Sequence, residues 1–151
     1  MKQQKRRHKI MVIHGPNLNM LGKREPEIYG KETLDEINAK LEELAEKLGI
    51  NVETFQSNYE GKIIEKIQKT SGRCKGFIIN PAAFTHTSIA IRDALLLLDI
   101  PIIEIHLSNI YKREAFRRKS MIADVVTAQI SGFGVQGYLM ALKAIAKIVD
   151  C

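Results

Sequence analysis

"KIMVIHGPNLNMLGKREPEIYG", residues 9–30, contains a short apolar run followed by an unusually long polar loop. Residues 9–14 have the length and composition of a strand that is buried in a parallel sheet. A helix is predicted from residue 33, so residues 15–32 form the connection. Strand-to-helix connections usually take about two to six residues. This loop carries an arginine and a tyrosine, and its length indicates a functional role.

Strands and helices alternate along the rest of the chain. Thr33 and Glu36 form a capping box at the start of the first helix, and Gly49 ends it. Five strands alternating with helices predict an α/β protein with a flavodoxin-like, five-stranded parallel sheet in the order 2-1-3-4-5 and helices on both faces. The strands are predicted at residues 9–14, 51–57, 76–80, 100–106 and 125–131, and the helices at residues 33–48, 59–71, 87–98 and 135–149. The segment between the last two strands predicts at most one short, charged helix.

The composition is that of a soluble globular protein of one domain. The chain has 151 residues, of which 45% are hydrophobic and 26% are charged. No apolar run approaches the roughly 20 residues of a membrane helix, and no secretory signal is recognisable. We therefore expect a cytoplasmic protein that does not bind membranes. Cys74 and Cys151 have no metal-site spacing and are expected to be free thiols.

The net charge of +6 comes almost entirely from the first nine residues. Five basic residues lie there, and the rest of the chain has eighteen basic residues against seventeen acidic ones. This distribution predicts a disordered, solubilising extension over residues 1–9 and a single catalytic domain over residues 10–151. A nucleic-acid-binding arm is the alternative, which we do not expect.

The polar loops follow the first, third, fourth and fifth strands. In open α/β sheets, ligands bind at the carboxyl ends of the strands, so these loops are expected to surround one site. The loop after the second strand, "SNYEG", has the plainest composition. "GFGVQG", residues 132–137, has the spacing of a dinucleotide-binding loop. However, too few residues follow Gly137 for the acidic residue and later strand of that motif. Tight turning and close helix packing is the favoured interpretation.

Candidate chemistry is concentrated in two of these loops. Glu104 and His106 are two residues apart on one strand and therefore on the same face. This geometry suits a carboxylate that orients an imidazole and keeps it protonated, and it favours an acid–base role for His106 over a metal or core role. His14 is expected to be structural. Asn80 ends the third strand, and His86 precedes a helix.

Cations and a hydroxyl follow the fourth strand. Ser108 lies beside backbone amides that can hold a carboxylate. "KREAFRRK", residues 112–119, places five cations around one acid. Most of these side chains are expected to lie on a solvated or subunit-contact surface, and one or two to reach an anionic substrate.

These loops together resemble the type II 3-dehydroquinate dehydratases. "GPNLNMLGKREPEIYG", "NPAAFTHTS", "IEIHLSN", "REAFRR" and "GFGVQGY" occur in the family's order, and the match runs from about Ile10 to Val149. The resemblance implies a cofactor-free, metal-free lyase of the shikimate pathway of aromatic amino acid biosynthesis. Such an enzyme converts 3-dehydroquinate to 3-dehydroshikimate and water, by anti elimination through an enolate.

The resemblance also implies residue roles, beginning with the long loop. Tyr29 would remove the proton beside the substrate's ketone. A free tyrosine has a pKa of about 10, and a neighbouring cation lowers it by roughly 1 to 3 units, so Arg24 is the natural activator. Asn17 would hold a water that stabilises the enolate. His106, backed by Glu104, would protonate the leaving hydroxyl.

The remaining implied residues bind substrate. Asn80 would hold the leaving-group end, Ser108 and the Leu107 amide the carboxylate, and His86 and Arg117 the ring hydroxyls. Arg113 matches another position near the site. The family forms trimers that assemble into dodecamers, in which Asp93 would reach the site of the next subunit. The expected partners are therefore 3-dehydroquinate and further copies of this chain.

Two other classes of function are suggested by parts of the sequence. A nucleotide-binding oxidoreductase would use "GFGVQG", and a nucleic-acid-binding module would use the basic extension with "KREAFRRK". Neither explains why Arg24, Tyr29, Asn80, His86 and His106 are all predicted at one rim of the sheet.

Overall fold

A computed structural model describes residues 6–23 and 25–150, and for Pro26 and Tyr29 it describes the backbone only. Within these residues, five parallel strands form one sheet in the order β2-β1-β3-β4-β5, which confirms the predicted order. The strands are β1 (Lys9–His14), β2 (Asn51–Gln56), β3 (Gly76–Asn80), β4 (Ile102–His106) and β5 (Ala128–Ser131).

Helices cover both faces of this sheet. The hydroxyl of Thr33 accepts a hydrogen bond from the Glu36 amide at 3.2 Å, and Gly49 ends the same helix with a φ of 70°, as predicted. The α-helices are α1 (Pro26–Tyr29), α2 (Leu34–Leu48), α3 (Glu60–Thr70), α4 (Ile89–Leu96) and α5 (Val135–Asp150). Short 3-10 helices occur at Leu18–Met20, Ala82–His86, Ile110–Lys112 and Ala115–Arg117.

Strand β1 shows why the sheet has two cores. Ile10 and Val12 belong to the apolar cluster formed with α2 and α5. Met11 and Ile13 belong to the cluster formed with α3 and α4. Successive side chains of a strand point to opposite faces, so a strand covered on both faces must be apolar throughout. All four side chains are fully buried.

The amino-terminal boundary differs from the predicted one. Strand β1 begins at Lys9, which pairs with Asn51 of β2. Ahead of it, the Arg7 guanidinium makes two hydrogen bonds to the Glu46 carboxylate, at 2.8 and 3.2 Å. Contacts with the domain therefore begin before residue 10, the predicted start. Residues 1–5 of the predicted extension lie outside the described residues.

Two other segments differ in detail from the sequence prediction. Between β4 and β5 there are two 3-10 turns instead of one short helix, because this cation-rich segment has no apolar periodicity to bury. The last strand begins at Ala128. The apolar residues before it, Val125 and Val126, pack against the α3–α4 core from a turn. No described helix combines the length and apolarity needed to span a membrane.

Gly15, at the end of β1, is expected to be intolerant of a side chain. Its amide donates to the Asn80 carbonyl oxygen at 2.8 Å, and an added Cβ would lie 2.4 Å from the Pro81 carbonyl oxygen. Gly15→Ala must therefore separate the loops after β1 and β3. We expect the free energy of unfolding to fall by about 1–3 kcal/mol, measured by urea denaturation.

Gly61 in α3 provides the matched control. Apart from its chain neighbours and the backbone of its own helix, no described heavy atom lies within 4 Å of a Cβ added there. Gly61→Ala should raise the free energy of unfolding by about 0.5–1 kcal/mol, because alanine restricts the unfolded chain. Equal stability of the two variants would contradict the packing assigned to Gly15.

Candidate active site

The loops that follow β1, β3 and β4 surround one pocket at the carboxyl edge of the sheet. The backbones near Pro16 and Ala83 form part of its wall. Eight predicted site residues also line it: Asn17, Asn80, His86, His106, Leu107, Ser108, Arg113 and Arg117. The parallel register brings these loops together, because residues that end neighbouring strands lie side by side, as His14 does with Asn80.

Glu104 and His106 form a buried pair at this edge. Nε2 of His106 lies 2.5 Å from Oε2 of Glu104. Glu104 has no exposed surface and His106 is 6% exposed. An ionised carboxylate only accepts hydrogen bonds, so Nε2 is the donor, and Nδ1 is the nitrogen left to meet a ligand. The predicted same-face pairing is present.

The second carboxylate oxygen of Glu104 is also satisfied. Oε1 accepts a hydrogen bond from Ser120 Oγ at 3.0 Å and from Gln129 Nε2 at 3.1 Å. Gln129 is the residue of β5 that pairs with Glu104 in the sheet. Three donors therefore compensate a charge that has lost its hydration, which is the condition for burying a carboxylate.

His86 presents its ring from the 3-10 helix Ala82–His86. Its Nδ1 lies 2.8 Å from the Lys119 carbonyl oxygen. A carbonyl oxygen only accepts, so Nδ1 carries the proton and the neutral ring offers Nε2 as an acceptor. Burial lowers the pKa of His86, although the hydrogen bond with Lys119 opposes this. A neutral His86 suits the recognition of a hydroxyl group.

A buried hydrogen-bond chain orients Asn80. Asn38 Oδ1 lies 2.8 Å from His14 Nε2, and His14 Nδ1 lies 3.0 Å from the Tyr138 hydroxyl, to which Asn80 Nδ2 donates at 3.2 Å. The amide oxygen of Asn38 only accepts, so His14 donates from Nε2 and accepts from Tyr138 at Nδ1. The Asn80 amide oxygen accepts from the Ala82 amide at 3.1 Å. His14 is thus structural, as predicted, and neither of its ring nitrogens is left for a metal ion.

The glycine-rich "GFGVQG" segment braces the loop after β4. The Gly134 amide donates to the Leu107 carbonyl oxygen at 2.9 Å, and Gly132 has a φ of 93°. A Cβ at Gly137 would lie 2.9 Å from Cδ1 of Ile105, so α5 packs closely on β4. This confirms the structural interpretation of the motif. Leu107 and Ser108, which this segment braces, line the pocket.

Arg113 and Arg117 supply positive charge to the pocket wall. Nε of Arg117 donates to Glu114 Oε2 at 2.8 Å, and Nε of Arg113 lies 3.9 Å from the same oxygen. The side chain of Arg113 is only 16% exposed. Both cations line the same pocket as Ser108, and this combination of groups suits a carboxylate-bearing ligand.

The loop after β2 holds the first loop in place. Asn17 adopts a φ of 67°, a left-handed conformation that asparagine tolerates, and its amide donates to Asn58 Oδ1 at 2.9 Å. Nε2 of Gln56 bridges the Gly15 carbonyl oxygen and Asn58 Oδ1, both at 3.1 Å. The loop with the plainest composition therefore positions a predicted site residue.

Tyr29 and Arg24 are the predicted base and its activator on the long loop. Arg24 lies outside the described residues, and only the backbone of Tyr29, in α1, is described. The neighbours of Tyr29 in sequence, Ile28 and Gly30, line a cavity that also includes Ser108. The segment that carries Tyr29 therefore runs beside the pocket.

Asp93 lies on the exposed side of α4 and is not among the described residues that line the pocket of its own chain. The same helix has large exposed apolar side chains. Ile89 is 59% exposed and Leu96 is 58% exposed. Within the described residues, no group of three or more His, Cys, Asp or Glu side chains is arranged to hold a metal ion.

Comparison with known proteins agrees with this geometry. Residues 8–146 match the sequence model of the family described as Dehydroquinase class II. The chain belongs to this family. A 3-dehydroquinate dehydratase from Geotalea daltonii is 59% identical to this class II dehydroquinase over 137 residues, which cover 91% of this chain and 95% of the relative. One from Acaryochloris marina is 56% identical over 139 residues, covering 92% and 93%.

The fold of this class II dehydroquinase is shared with solved structures. The crystal structure of the type II dehydroquinase from Propionibacterium acnes superposes with a TM-score of 0.90 at 44% sequence identity, covering 92% of this chain and 96% of that one. The order of motifs along the sequence therefore led to the correct family.

Four residues with roles in the site were missed by the sequence interpretation: Asn58, Ser120, Gln129 and Tyr138. Gln129 carried a weak signal, because a predicted fifth strand beside the fourth brings a polar side chain near Glu104. Tyr138 ends the "GFGVQGY" motif but was given no role. Asn58 and Ser120 contact the site across 41 and 16 residues of sequence, and no local pattern marks them.

The buried imidazole of His14 should make stability depend on pH. Burial lowers the pKa of His14 to about 4, against about 6.5 in the unfolded chain. The unfolded chain therefore binds a proton first as the pH falls. This costs the folded state about 3 kcal/mol between pH 7 and pH 4, at about 1.4 kcal/mol for each unit.

The measurement is urea denaturation of the wild type and of His14→Gln at pH 7, 5.5 and 4. The variant is expected to be less stable at pH 7 but to lose less stability on acidification. If the free energy of unfolding fell equally with pH in the two proteins, His14 would not be the cause of the pH dependence.

Proposed function

We propose that this pocket carries out the type II dehydroquinase reaction, the conversion of 3-dehydroquinate to 3-dehydroshikimate and water by anti elimination. The observation that carries the proposal is the buried Glu104–His106 pair, whose His106 lines the same pocket as Asn17 and Asn80. The family assignment and the names of the relatives support the same reaction.

The first step is removal of the proton from the carbon beside the ketone. We assign it to the phenolate of Tyr29, with Arg24 as the cation that lowers the cost of ionisation. The electron pair of the broken C–H bond forms the enolate. The position of Ile28 and Gly30 along the cavity next to Ser108 supports a tyrosine acting from this segment.

The enolate requires polar stabilisation where its charge develops. We assign this to a water held by Asn17, with the backbone near Pro16 and Ala83. The hydrogen bond from the Asn17 amide to Asn58 supports the assignment, because a group that stabilises a transition state must be oriented before the reaction.

Loss of the hydroxyl completes the reaction. As the enolate collapses to the conjugated ketone, the C–O bond breaks and the leaving oxygen takes a proton from Nδ1 of His106, which releases water. Glu104 binds the opposite ring nitrogen and stabilises the imidazolium. This assignment is supported by the direction of the hydrogen bond, which leaves Nδ1 for the ligand.

The remaining pocket residues bind the substrate. Ser108, with the Leu107 amide, binds the carboxylate, and Arg113 contributes positive charge nearby. His86 and Arg117 bind ring hydroxyls, and the neutral ring of His86 is suited to accept one. Asn80 holds the leaving-group end. The substrate's carboxylate thus matches the positive charge of the pocket wall, and its hydroxyls match the hydrogen-bonding groups there.

Turnover is tested with purified, chelator-treated protein and 3-dehydroquinate, by following the ultraviolet absorbance of the conjugated product. We expect Tyr29→Phe to lower kcat by at least about a hundredfold with little change in KM, because only the proton acceptor is lost. His106→Ala should lower kcat similarly, through loss of the acid.

Borohydride treatment in the presence of substrate is the control for mechanism. Activity that survives it is expected, because no lysine Schiff base forms in this reaction. Near-wild-type turnover by Tyr29→Phe would contradict the assignment of Tyr29 as the base. Folded wild-type protein without product formation would refute the proposed function.

The active form is proposed to be an oligomer, of trimers within a dodecamer, with Asp93 completing the site of the next subunit. The exposure of Asp93, beside exposed apolar side chains on α4, supports a contact there. We expect the enzyme to act in the cytoplasm, because its proposed substrate is a small polar metabolite.

Complementation between chains tests the sharing of Asp93. Asp93→Ala and His106→Ala homo-oligomers are each expected to be weakly active. When the two are unfolded and refolded together, a chain with its own His106 can receive Asp93 from a neighbour, so activity should return to a fraction of the wild type. Mixtures that show only the sum of the two residual activities would place Asp93 outside the site.

A further inference from the structure

Glu104 has two carboxylate oxygens with different partners. Oε2 is hydrogen-bonded to Nε2 of His106 at 2.5 Å. Oε1 accepts from Ser120 and from Gln129. The Gln129 amide nitrogen can only donate, so Oε1 is the acceptor of that hydrogen bond.

The hydroxyl of Ser120 is oriented toward Glu104 by its own surroundings. Ser120 Oγ accepts a hydrogen bond from the Ile122 amide at 3.2 Å, so its proton is directed to Glu104. The residues on either side are also held: the Lys119 carbonyl oxygen by His86, and the Met121 amide by the Thr85 carbonyl oxygen at 2.8 Å. The short segment 119–121 is thereby fastened to the pocket wall.

Gln129 reaches the same oxygen from another element. It lies on β5, opposite Glu104 in the parallel register, so its amide approaches Oε1 from the sheet while Ser120 approaches from the loop. Two neutral donors from separate elements converge on one buried oxygen.

These donors decide where the shared proton lies. A proton between Oε2 and Nε2 can belong to the carboxyl or to the imidazole. Hydrogen bonds to Oε1 stabilise the ionised carboxylate and therefore favour the proton on nitrogen. The imidazole is then cationic, and its Nδ1 proton is acidic enough to be transferred. Among the other titratable or charged groups of this pocket, His86 is hydrogen-bonded to the Lys119 carbonyl oxygen and Arg117 to Glu114.

We propose that Ser120 and Gln129 are positioning residues for the acid step, which hold the negative charge on Glu104 and keep the shared proton on His106. The proposal rests on the dehydratase function given above. Neither residue touches the substrate, and each acts through Glu104.

Kinetics of Ser120→Ala and Gln129→Met test the proposal. Each variant removes one donor from Oε1, so the carboxylate holds the shared proton more strongly. We expect kcat to fall by about tenfold to a hundredfold with KM changed by less than about twofold. The alkaline limb of the pH profile of kcat should move to higher pH, because the pair releases its proton less readily. Ser120→Thr, which keeps the hydroxyl, should recover most of the activity.

Thr70→Val is the matched control for loss of a buried hydroxyl. Thr70 is 3% exposed and its Oγ1 donates to the Ile67 carbonyl oxygen at 2.7 Å, at the end of α3 far from the pocket. This variant should lower thermal stability without altering kcat or its pH profile.

Ring nitrogen NMR separates this inference from the proposed function. In protein labelled with ¹⁵N-histidine, the Nε2 signal of His106 should move toward the shift of an unprotonated nitrogen in Ser120→Ala and in Gln129→Met. This readout needs no turnover. A wild type that forms no product therefore refutes the dehydratase function alone, whereas unchanged His106 signals in both variants overturn the positioning role. A loss of kcat without a moved pH profile, or without rescue by Ser120→Thr, overturns it as well.

Discussion

The negative charge of Glu104 is the constraint around which the acid side of the pocket is built. This carboxylate sits within β4 with no exposed surface, where an uncompensated charge would cost several kcal/mol. Compensation comes from His106 on the same strand, Gln129 on the next strand and Ser120 in the loop between them. The site therefore depends on the register of β5 and on the path of the loop as much as on the pair itself.

Asn80, which ends the neighbouring strand β3, is oriented by neutral groups. A directed chain of hydrogen bonds runs from Asn38 through His14 and Tyr138 to Asn80. Burial keeps His14 neutral, because it lowers the pKa of the imidazole to about 4. Each chain ends in a side chain whose orientation is set before any ligand binds, which is the arrangement that electrostatic catalysis requires.

The proposed acid and base are held in different ways. His106 ends a buried strand, and the glycine-rich segment braces the backbone that follows it, through Gly134. Tyr29 lies in the long loop after β1, whose near end is tied down by Gln56 and Asn58. A rigid acid and a base carried on a loop suit a reaction in which the substrate enters before the base approaches it.

Much of this architecture was already present in local patterns of the sequence. Strand order, helices on both faces and the cap of α2 follow from periodicity and capping residues, which are short-range signals. The pairing of Glu104 with His106 follows from a spacing of two on a strand. The structural nature of "GFGVQG" followed from how few residues come after it.

The contacts that orient the proposed catalytic groups join segments that are far apart in the sequence. Ser120, Tyr138 and Asn58 contact the site across 16, 58 and 41 residues of sequence, respectively. The contact of Arg7 with Glu46, ahead of the first strand, spans 39 residues. Side-chain hydrogen bonds between distant segments depend on strand register and loop path, which form only when the chain packs. Local chemistry along the chain is therefore enough to propose His106 as the acid. Its orientation depends on the folded sheet, because the donors that hold the Glu104 carboxylate come from separate elements.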